Sequence, residues 1–173
     1  MDVVNVEIPF EFAEQRVVLS WCDVLFGIEN GLFALESAIE LACLRLAADA
    51  SPAPELLALG ISDVAEGGVK DLVRHLAESE RAEGSVRTHD KWLYLVLAWI
   101  FERRTAYPDP LQMVEEVCAD FDYPASVASF VRYMPDPEPS LGSVAANEAR
   151  LYERWHQFLR DEGAKYGRVE TSA

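Results

Sequence analysis

The sequence has few basic residues. Fifteen Lys and Arg stand against thirty Asp and Glu, which gives a formal net charge of −15 over 173 residues. Residues 1–86 carry −11 of this charge and residues 87–173 carry −4. A chain this acidic repels nucleic acids and anionic membrane surfaces and attracts cationic molecules from a distance. We therefore expect neither a nucleic-acid partner nor a membrane partner.

Cysteine is also scarce. Cys22, Cys43 and Cys118 are odd in number, far apart and without a CxxC pair, so they do not form a disulfide framework. The longest apolar stretch, residues 92–101, is half the length of about 20 residues that a membrane-spanning helix needs. Residues 1–12 include acids and a proline and lack the basic start and apolar run of a signal peptide. These features predict a cytoplasmic protein.

Recognisable catalytic motifs are missing. His75, His89 and His156 lie on separate segments, without the HxxxH or HExxH spacing that brings ligands to zinc. There is no GxSxG nucleophile motif, and residues 67–70 (GGVK) lack the spacing of a phosphate-binding loop. The sequence therefore predicts no catalytic residue and no cofactor, and an enzyme is not the expected class.

Helix start and stop signals dominate what is present. Ser20 followed by Asp23 is typical of a capped helix start, and Asn30-Gly31 is typical of a left-handed helix end. Asp109-Pro110 is a second start of this kind. Together with three-to-four residue apolar spacing, these signals predict helices at about 20–29, 34–48, 54–59, 69–83, 88–104, 109–119 and 124–134, and a last helix from 143 to about 163 or 167.

The predicted helix at 88–104, with Thr88 as its cap, is the most apolar. Its hydrophobic positions cover nearly the whole circumference, and such a helix belongs at the centre of a fold. Trp92 and Trp99 are seven residues apart and so lie on nearly the same side. If Trp99 is fully buried, its replacement by Ala should cost about 3–5 kcal/mol.

One stretch alternates like a strand. Apolar residues recur at every second position from Val4 to Phe12, and a hairpin with residues 16–19 would provide a partner strand. The predicted fold is all-α, an irregular multi-helix bundle of about seven or eight helices with room for a small β element in residues 3–19. The predicted domain organisation is an extended or hairpin segment at 1–19, a single helical domain at 20–165 and a flexible tail at 166–173.

A group of carboxylates marks the helix predicted at 109–119 and its end. Glu115, Glu116, Asp120 and Asp122 fall within eight residues, and Glu116 and Asp120 are four apart and share a helix face. Paired carboxylates can hold a metal ion or act as acid and base. They can equally form a solvated helix face or a patch for a basic partner, and the sequence leaves these alternatives open.

Two stretches together resemble a known family. They are residues 20–31 (SWCDVLFGIENG) and residues 120–135, which contain DFDYP and FVRYMP. They resemble a bacterial family of uncharacterised small acidic proteins, and such families are commonly linked with the immunity proteins of polymorphic toxin systems. The resemblance covers most of residues 20–139 and carries no catalytic residues. It implies a protein that inhibits a toxin by binding it.

The acidic composition fits such a role, because charge speeds association while aromatic and Arg side chains slow dissociation. The expected partner is another protein, in this case a cationic toxin domain, in an oligomeric state that the sequence does not reveal. Residues of these types are concentrated in one proline-bounded region: Asp120, Asp122, Tyr123, Arg132, Tyr133, Asp136 and Glu138.

The aromatic residues of this region have a second interpretation. Tyr123, Phe130 and Tyr133 could instead pack the predicted helix at 124–134 onto the core. Two alternative functions follow from the same residues. One is a metal-binding protein or enzyme that uses the carboxylates, and the second is a structural adaptor in a larger complex.

Overall fold

Helices build the described part of the chain. The computed structural model describes residues 6–83 and 87–166, is 67% helical and contains eight α-helices and no strand within those residues. The all-α prediction is therefore confirmed. The helices are α1 (Phe10–Glu14), α2 (Trp21–Glu29), α3 (Glu36–Ala48), α4 (Pro54–Gly60), α5 (Val69–Glu83), α6 (Thr88–Glu102), α7 (Pro110–Asp120) and α8 (Val144–Tyr166).

Helix α6 lies at the centre, as its apolar circumference predicts. It packs against α2, α7 and α8, while α5 packs against α2, α3 and α4. Its residues 92–98 are all buried. Trp92 has no exposed surface, and its indole N–H donates to the carbonyl of Asp23 at 2.8 Å. Trp99 is only partly buried, so it does not meet the condition for the larger stability cost.

Helix α2 begins and ends where its sequence signals predict. The Ser20 hydroxyl accepts from the backbone N–H of Asp23, and the Asp23 carboxylate accepts from the backbone N–H of Ser20, which is a capping box. At the other end Gly31 adopts a left-handed φ of 68°. The backbone N–H of Leu32 donates to the carbonyl of Gly27 at 2.8 Å, and that of Gly31 donates to Ile28 at 3.3 Å. This pair of bonds is a Schellman motif.

The predicted hairpin near the N-terminus is wrong for the described residues 6–19. Helix α1 begins after Pro9, and one backbone bond, from Ile8 N–H to Leu32 O at 2.8 Å, ties the preceding residues to the core. The alternating apolar side chains are buried without a strand partner, because the elements around α6 cover them. Residues 3–5 of the predicted β element, and 167–173 of the predicted tail, lie outside the described residues.

The helix predicted at 124–134 is also wrong. The segment contains turns and a single 3₁₀ turn, Ala128–Phe130, whose bonds run from Phe130 N–H to Val127 O and from Val131 N–H to Ala128 O. Residues three apart align on one side of a 3₁₀ turn, so Val127 and Phe130 both point into the core. Burial of these two side chains therefore outweighs the helix-start signal of Pro124.

Thr88 is likewise not a cap. It is the first residue of α6, the capping position belongs to Arg87, and the Thr88 hydroxyl has no partner within the described residues. Across the described part of the chain, no helix has the length and apolar character that crossing a membrane would require.

Candidate partner-binding surface

Helix α7 sets the geometry of the proline-bounded region. It starts as predicted, with the Asp109 carboxylate accepting from the backbone N–H of Gln112 at 3.1 Å. It ends in a second Schellman motif, in which Tyr123 N–H donates to Cys118 O at 2.8 Å and Asp122 N–H donates to Ala119 O at 3.2 Å. The motif reverses the chain direction after α7 and leaves Asp122 and Tyr123 on the surface.

Asp122 and Tyr123 both have left-handed backbones, with φ of 57° and 53°. Within the described part of the chain, Asp122 and Tyr123 are the two non-glycine residues with a positive φ. Such a conformation costs roughly 1–2 kcal/mol for a residue with a Cβ. Glycine would adopt the left-handed conformation at a lower conformational cost. The backbone conformation therefore does not explain why an Asp and a Tyr occupy these two positions.

Tyr123 and Tyr133 form an exposed aromatic pair, the tyrosine pair. Tyr123 is 57% exposed and Tyr133 is 52% exposed, whereas the other Phe, Trp and Tyr side chains that the structure describes are buried or half-buried. Desolvation of the phenol, then the nearby Cys118 and Tyr123, raise the pKa of Tyr133 to about 12. The hydrogen bond between the Tyr133 hydroxyl and the Cys118 thiol is one of the causes. Packing onto the core, the second interpretation of these aromatic residues, holds for the fully buried Phe130, whereas Tyr123 and Tyr133 each keep about half of their surface exposed.

Arg132 is a cross-link between helices. Its Nε donates to Glu115 Oε1 and its Nη2 to Asp109 Oδ2, both at 2.8 Å, while its Nη1 lies 4.0 Å from Glu148 of α8. The hydrogen bond to Glu115, followed by that to Asp109, raises the pKa of Arg132. Desolvation opposes the effect on Asp109, yet the bonds from Arg132 and from Gln112 N–H keep the pKa of Asp109 below its usual range. Arg132 already has its partners within the chain.

Asp136 and Glu138 are also paired. Asp136 Oδ2 lies 2.8 Å from Arg150 Nη2 and 3.1 Å from Arg154 Nη1, and Glu138 Oε1 lies 2.9 Å from Arg154 Nη2. The hydrogen bond from Arg154, the backbone N–H of Glu138 and the charge of Arg150 lower the pKa of Asp136. These four side chains, the clamp, tie the proline-rich segment (residues 134–139) to α8.

The carboxylates of α7 do not form a metal site in the described structure. Glu116 accepts a hydrogen bond from Gln112 Nε2 at 3.2 Å along its own helix. Within residues 6–83 and 87–166, no three His, Cys, Asp or Glu side chains converge in a way that could hold a metal ion. Glu116 and Asp120 share a helix face as predicted, but no third ligand joins them there.

The seven residues predicted to bind a partner thus divide into two groups. Asp122 and the tyrosine pair form an exposed surface, with the half-buried Asp120 at the end of the same helix. Arg132, Asp136 and Glu138 belong to ion-pair networks that hold the segment in place. Sequence spacing brings together residue types but does not show which charges are neutralised by a distant helix.

Two features were not predicted. A cavity of about 390 Å³ lies between residues 128–140 and the first turns of α8. In the core, the buried Asp23 carboxylate accepts from Lys91 Nζ at 2.6 Å. An apolar residue at the start of a helix, Val144, shortly after three prolines is the feature of the sequence that coincides with the cavity.

Residues 10–163 match a bacterial protein family, described as "Uncharacterized protein conserved in bacteria (DUF2247)". The matched range includes helices α1–α7, most of α8, the tyrosine pair and the cavity. No curated protein and no solved structure matches the chain.

Proposed function

We propose that this chain, which belongs to the bacterial DUF2247 family, binds another protein through Asp122 and the tyrosine pair. We propose further that it acts as an immunity-like inhibitor, which occludes a cationic toxin by stoichiometric binding. The observation that carries the proposal is the exposure of both Tyr123 and Tyr133, in a chain whose other described aromatic rings are buried or half-buried.

Exposed tyrosines are suited to this task. A tyrosine offers a large apolar face and a hydroxyl with little conformational entropy to lose, and it is enriched among residues that dominate binding energy. The Tyr133 hydroxyl stays protonated well above neutral pH, because its pKa is about 12. The hydroxyl is already bonded to Cys118 within the chain, so the exposed ring face is the part of Tyr133 that can receive a Lys or Arg of the partner.

The net charge supports a basic partner. A charge of −15 steers a cationic protein toward the chain and raises the association rate. Asp122 at the candidate surface, and Glu116 on α7, are exposed and take part in no ion pair within the described residues. The acids of the clamp are neutralised by arginines, so they contribute much less to this attraction.

The backbone at Asp122 and Tyr123 supports a functional surface as well. Strained positions persist where the surrounding structure holds them and where the side chain is needed. Here the Schellman bonds impose the conformation, and glycine would be the less costly residue at the first position. An acid and a tyrosine held there at a conformational cost fit a binding role for their side chains.

A growth assay tests the inhibitor role. The chain is co-expressed in bacteria with the protein encoded by the gene next to its own, and growth is compared with that of cells expressing the neighbouring protein alone. We expect the neighbour to arrest growth and the chain to restore it. The double variant Tyr123→Ala/Tyr133→Ala should restore growth poorly.

The matched control is Leu57→Ala/Ile61→Ala, which removes two exposed apolar side chains from α4 and the residue after it, at 49% and 87% exposure. It should restore growth like the wild type. Equal protection by both double variants would contradict the proposed surface. A toxic neighbour that the wild-type chain does not neutralise would contradict the inhibitor role.

A further inference from the structure

Arginines without an acidic partner are concentrated near the end of α6. Most Lys and Arg side chains within residues 6–83 and 87–166 form an ion pair with an Asp or Glu, and the exceptions are Arg81, Arg87, Arg103, Arg104 and Arg160. Arg103 and Arg104 directly follow α6, and Arg160 lies on α8, which packs against α6. Because the chain has thirty acids and fifteen bases, a shortage of carboxylates does not explain these unpaired arginines.

Aromatic rings hold two of these arginines where a carboxylate would usually do so. The guanidinium carbon of Arg103 lies 3.1 Å from the centroid of the Trp99 ring. That of Arg104 lies 4.4 Å from the centroid of Phe101, and one of its N–H groups donates to the Phe101 carbonyl at 2.7 Å. A guanidinium on a ring face keeps most of its N–H groups at its edge, where they can donate to an oxyanion. The rings therefore position the arginines and leave most of their donors available.

Shared contacts join the exposed side chains of Arg103, Arg104 and Arg160 into one surface, the arginine face. Phe101, the ring in contact with Arg104, lines a pocket of about 260 Å³ together with Arg160. Arg16 lines the same pocket. The Phe12 ring lies under both Arg16 and Arg103, whose guanidinium carbons are 3.6 Å and 5.8 Å from its centroid. The pocket and the Phe12 ring thus connect the three arginines.

The charge of the arginine face is positive. Glu102 is the one acid among the residues that line the pocket, and it is paired with Arg16 at 2.5 Å. It therefore does not neutralise the three arginines of the face. These arginines lie on separate supports, namely Trp99, Phe101 and α8, and do not converge on one point. Such spacing suits several anionic groups in a row better than one small anion.

The arginine face and the tyrosine pair lie at opposite ends of α6. The ring of His89, in the first turn of α6, lies 4.9 Å from the ring of Phe121, the residue before Asp122. Arg103 follows the last turn. The 15 residues of α6 span about 22 Å. The arginine face is therefore a second surface, distant enough from the first for each to have its own partner.

We propose that the arginine face binds an acidic segment of a second protein, a run of Asp and Glu residues. Carboxylates match the forked donors of a guanidinium and accept two parallel hydrogen bonds from it. The inference goes beyond the proposed function, which assigns a cationic partner to the other end of α6.

Single-stranded nucleic acid is the competing polyanion. Its bases bind proteins by stacking on open aromatic rings. Here Arg103 occupies a face of Trp99, and Arg104 and His156 both lie on Phe101, with the His156 ring stacked at 5.4 Å. A run of carboxylates needs no open ring, so the arrangement favours the acidic protein segment.

Peptide binding tests this choice. The probe is acetyl-hexaglutamate-amide, titrated into the ¹⁵N-labelled full chain at physiological salt and followed by amide chemical shifts. We expect residue-specific shifts at 99–104 and 156–160. Hexathymidylate, a single-stranded DNA of similar charge, should bind at least fivefold more weakly.

Matched arginine variants separate the face from the net charge. Arg103→Gln/Arg104→Gln should weaken peptide binding at least tenfold. The control Arg81→Gln/Arg87→Gln removes the same charge from arginines that also form no ion pair within the described residues. It should weaken binding less than twofold, because charges beyond the screening length of about 8 Å contribute little. Arg160→Gln changes the face from α8 and should weaken binding at least threefold.

The amide spectrum of each variant without peptide shows whether the fold is kept. Should Arg103→Gln/Arg104→Gln not fold, Arg160→Gln alone decides, and unchanged binding in that variant would overturn the proposal. No shift at millimolar peptide, or shifts outside the two segments, would overturn it as well. Equal weakening by the two double variants would show a response to net charge alone. Hexathymidylate that binds as tightly as the peptide would assign the face to nucleic acid.

Discussion

Asp122 occupies in α7 the position that Gly31 occupies in α2. Both follow the last helical turn, both have left-handed backbones (φ 57° and 68°), and both are followed by a residue whose N–H closes a Schellman motif. Glycine is the usual residue at this position because it has no Cβ to strain. The same local structure is thus built once with the favourable residue and once with an acid.

This relationship predicts opposite effects of two substitutions. Asp122→Gly should leave stability unchanged or raise it by up to about 1 kcal/mol, because it relieves the left-handed strain. Gly31→Ala should lower stability by about 1 kcal/mol, and the cost is conformational because a Cβ at Gly31 would meet open space. Urea unfolding monitored by circular dichroism measures both. A clear loss of stability in Asp122→Gly would show that the Asp122 side chain serves the fold.

The buried pair of Asp23 and Lys91 predicts a non-additive result. Lys91→Met should destabilise the chain by about 3 kcal/mol, because it leaves the fully buried Asp23 carboxylate without its cation. Asp23→Asn/Lys91→Met should be more stable than Lys91→Met alone, since the uncompensated charge is gone. The measurement is again the free energy of unfolding. The single variant Asp23→Asn completes the comparison. If the double variant lost as much free energy of unfolding as the two single variants together, the result would argue against this coupling.

The two tryptophans of α6 should differ in their contribution to stability. Trp92→Ala should cost about 3–5 kcal/mol, because the ring is fully buried and its N–H satisfies the Asp23 carbonyl. Trp99→Ala should cost less, because Trp99 packs at the edge against Phe12, with ring centroids 4.9 Å apart, and is partly exposed. Equal losses would mean that Trp99 is as enclosed as Trp92.

The clamp predicts the titration of Asp136. Its pKa is lowered by Arg154, the backbone N–H of Glu138 and Arg150, so its midpoint in a carboxyl ¹³C titration should lie below the ordinary value of about 3.9. A lowered pKa in the folded state stabilises the fold above the unfolded pKa, and this contribution disappears as the pH falls through the folded pKa. Arg154→Gln should move the midpoint upward. An unchanged midpoint in that variant would remove Arg154 as the main cause.

Much of the fold follows from local signals. The ends of α2, α4 and α7 agree with their caps, prolines and glycines because those residues act on the backbone next to them. The wrong predictions depend on distant contacts. The start signal at Pro124 is overridden because Val127 and Phe130 are drawn into the core, and the N-terminal alternation is buried against helices and not beside a second strand.

The candidate surface was predicted only in part, for the same physical reason. Residue types indicate which side chains could bind, but not which are already paired. Arg150 and Arg154, more than ten residues along the chain, neutralise Asp136 and Glu138, and no local pattern shows this. Tyr123 and Tyr133 are exposed because the chain turns back after α7, which depends on the Schellman motif at Asp122.

The most direct measurement is of association and dissociation rates with the protein encoded by the neighbouring gene, at low and at physiological salt. Glu116→Gln/Asp122→Asn should slow association, and less so at physiological salt, where the screening length is about 8 Å. Tyr133→Ala should chiefly speed dissociation, because the contacts of an exposed aromatic ring act after encounter. Ile61→Ala should change neither rate. Rates that are the same in the wild type, Tyr133→Ala and Glu116→Gln/Asp122→Asn would contradict the assignment of this surface as the binding site.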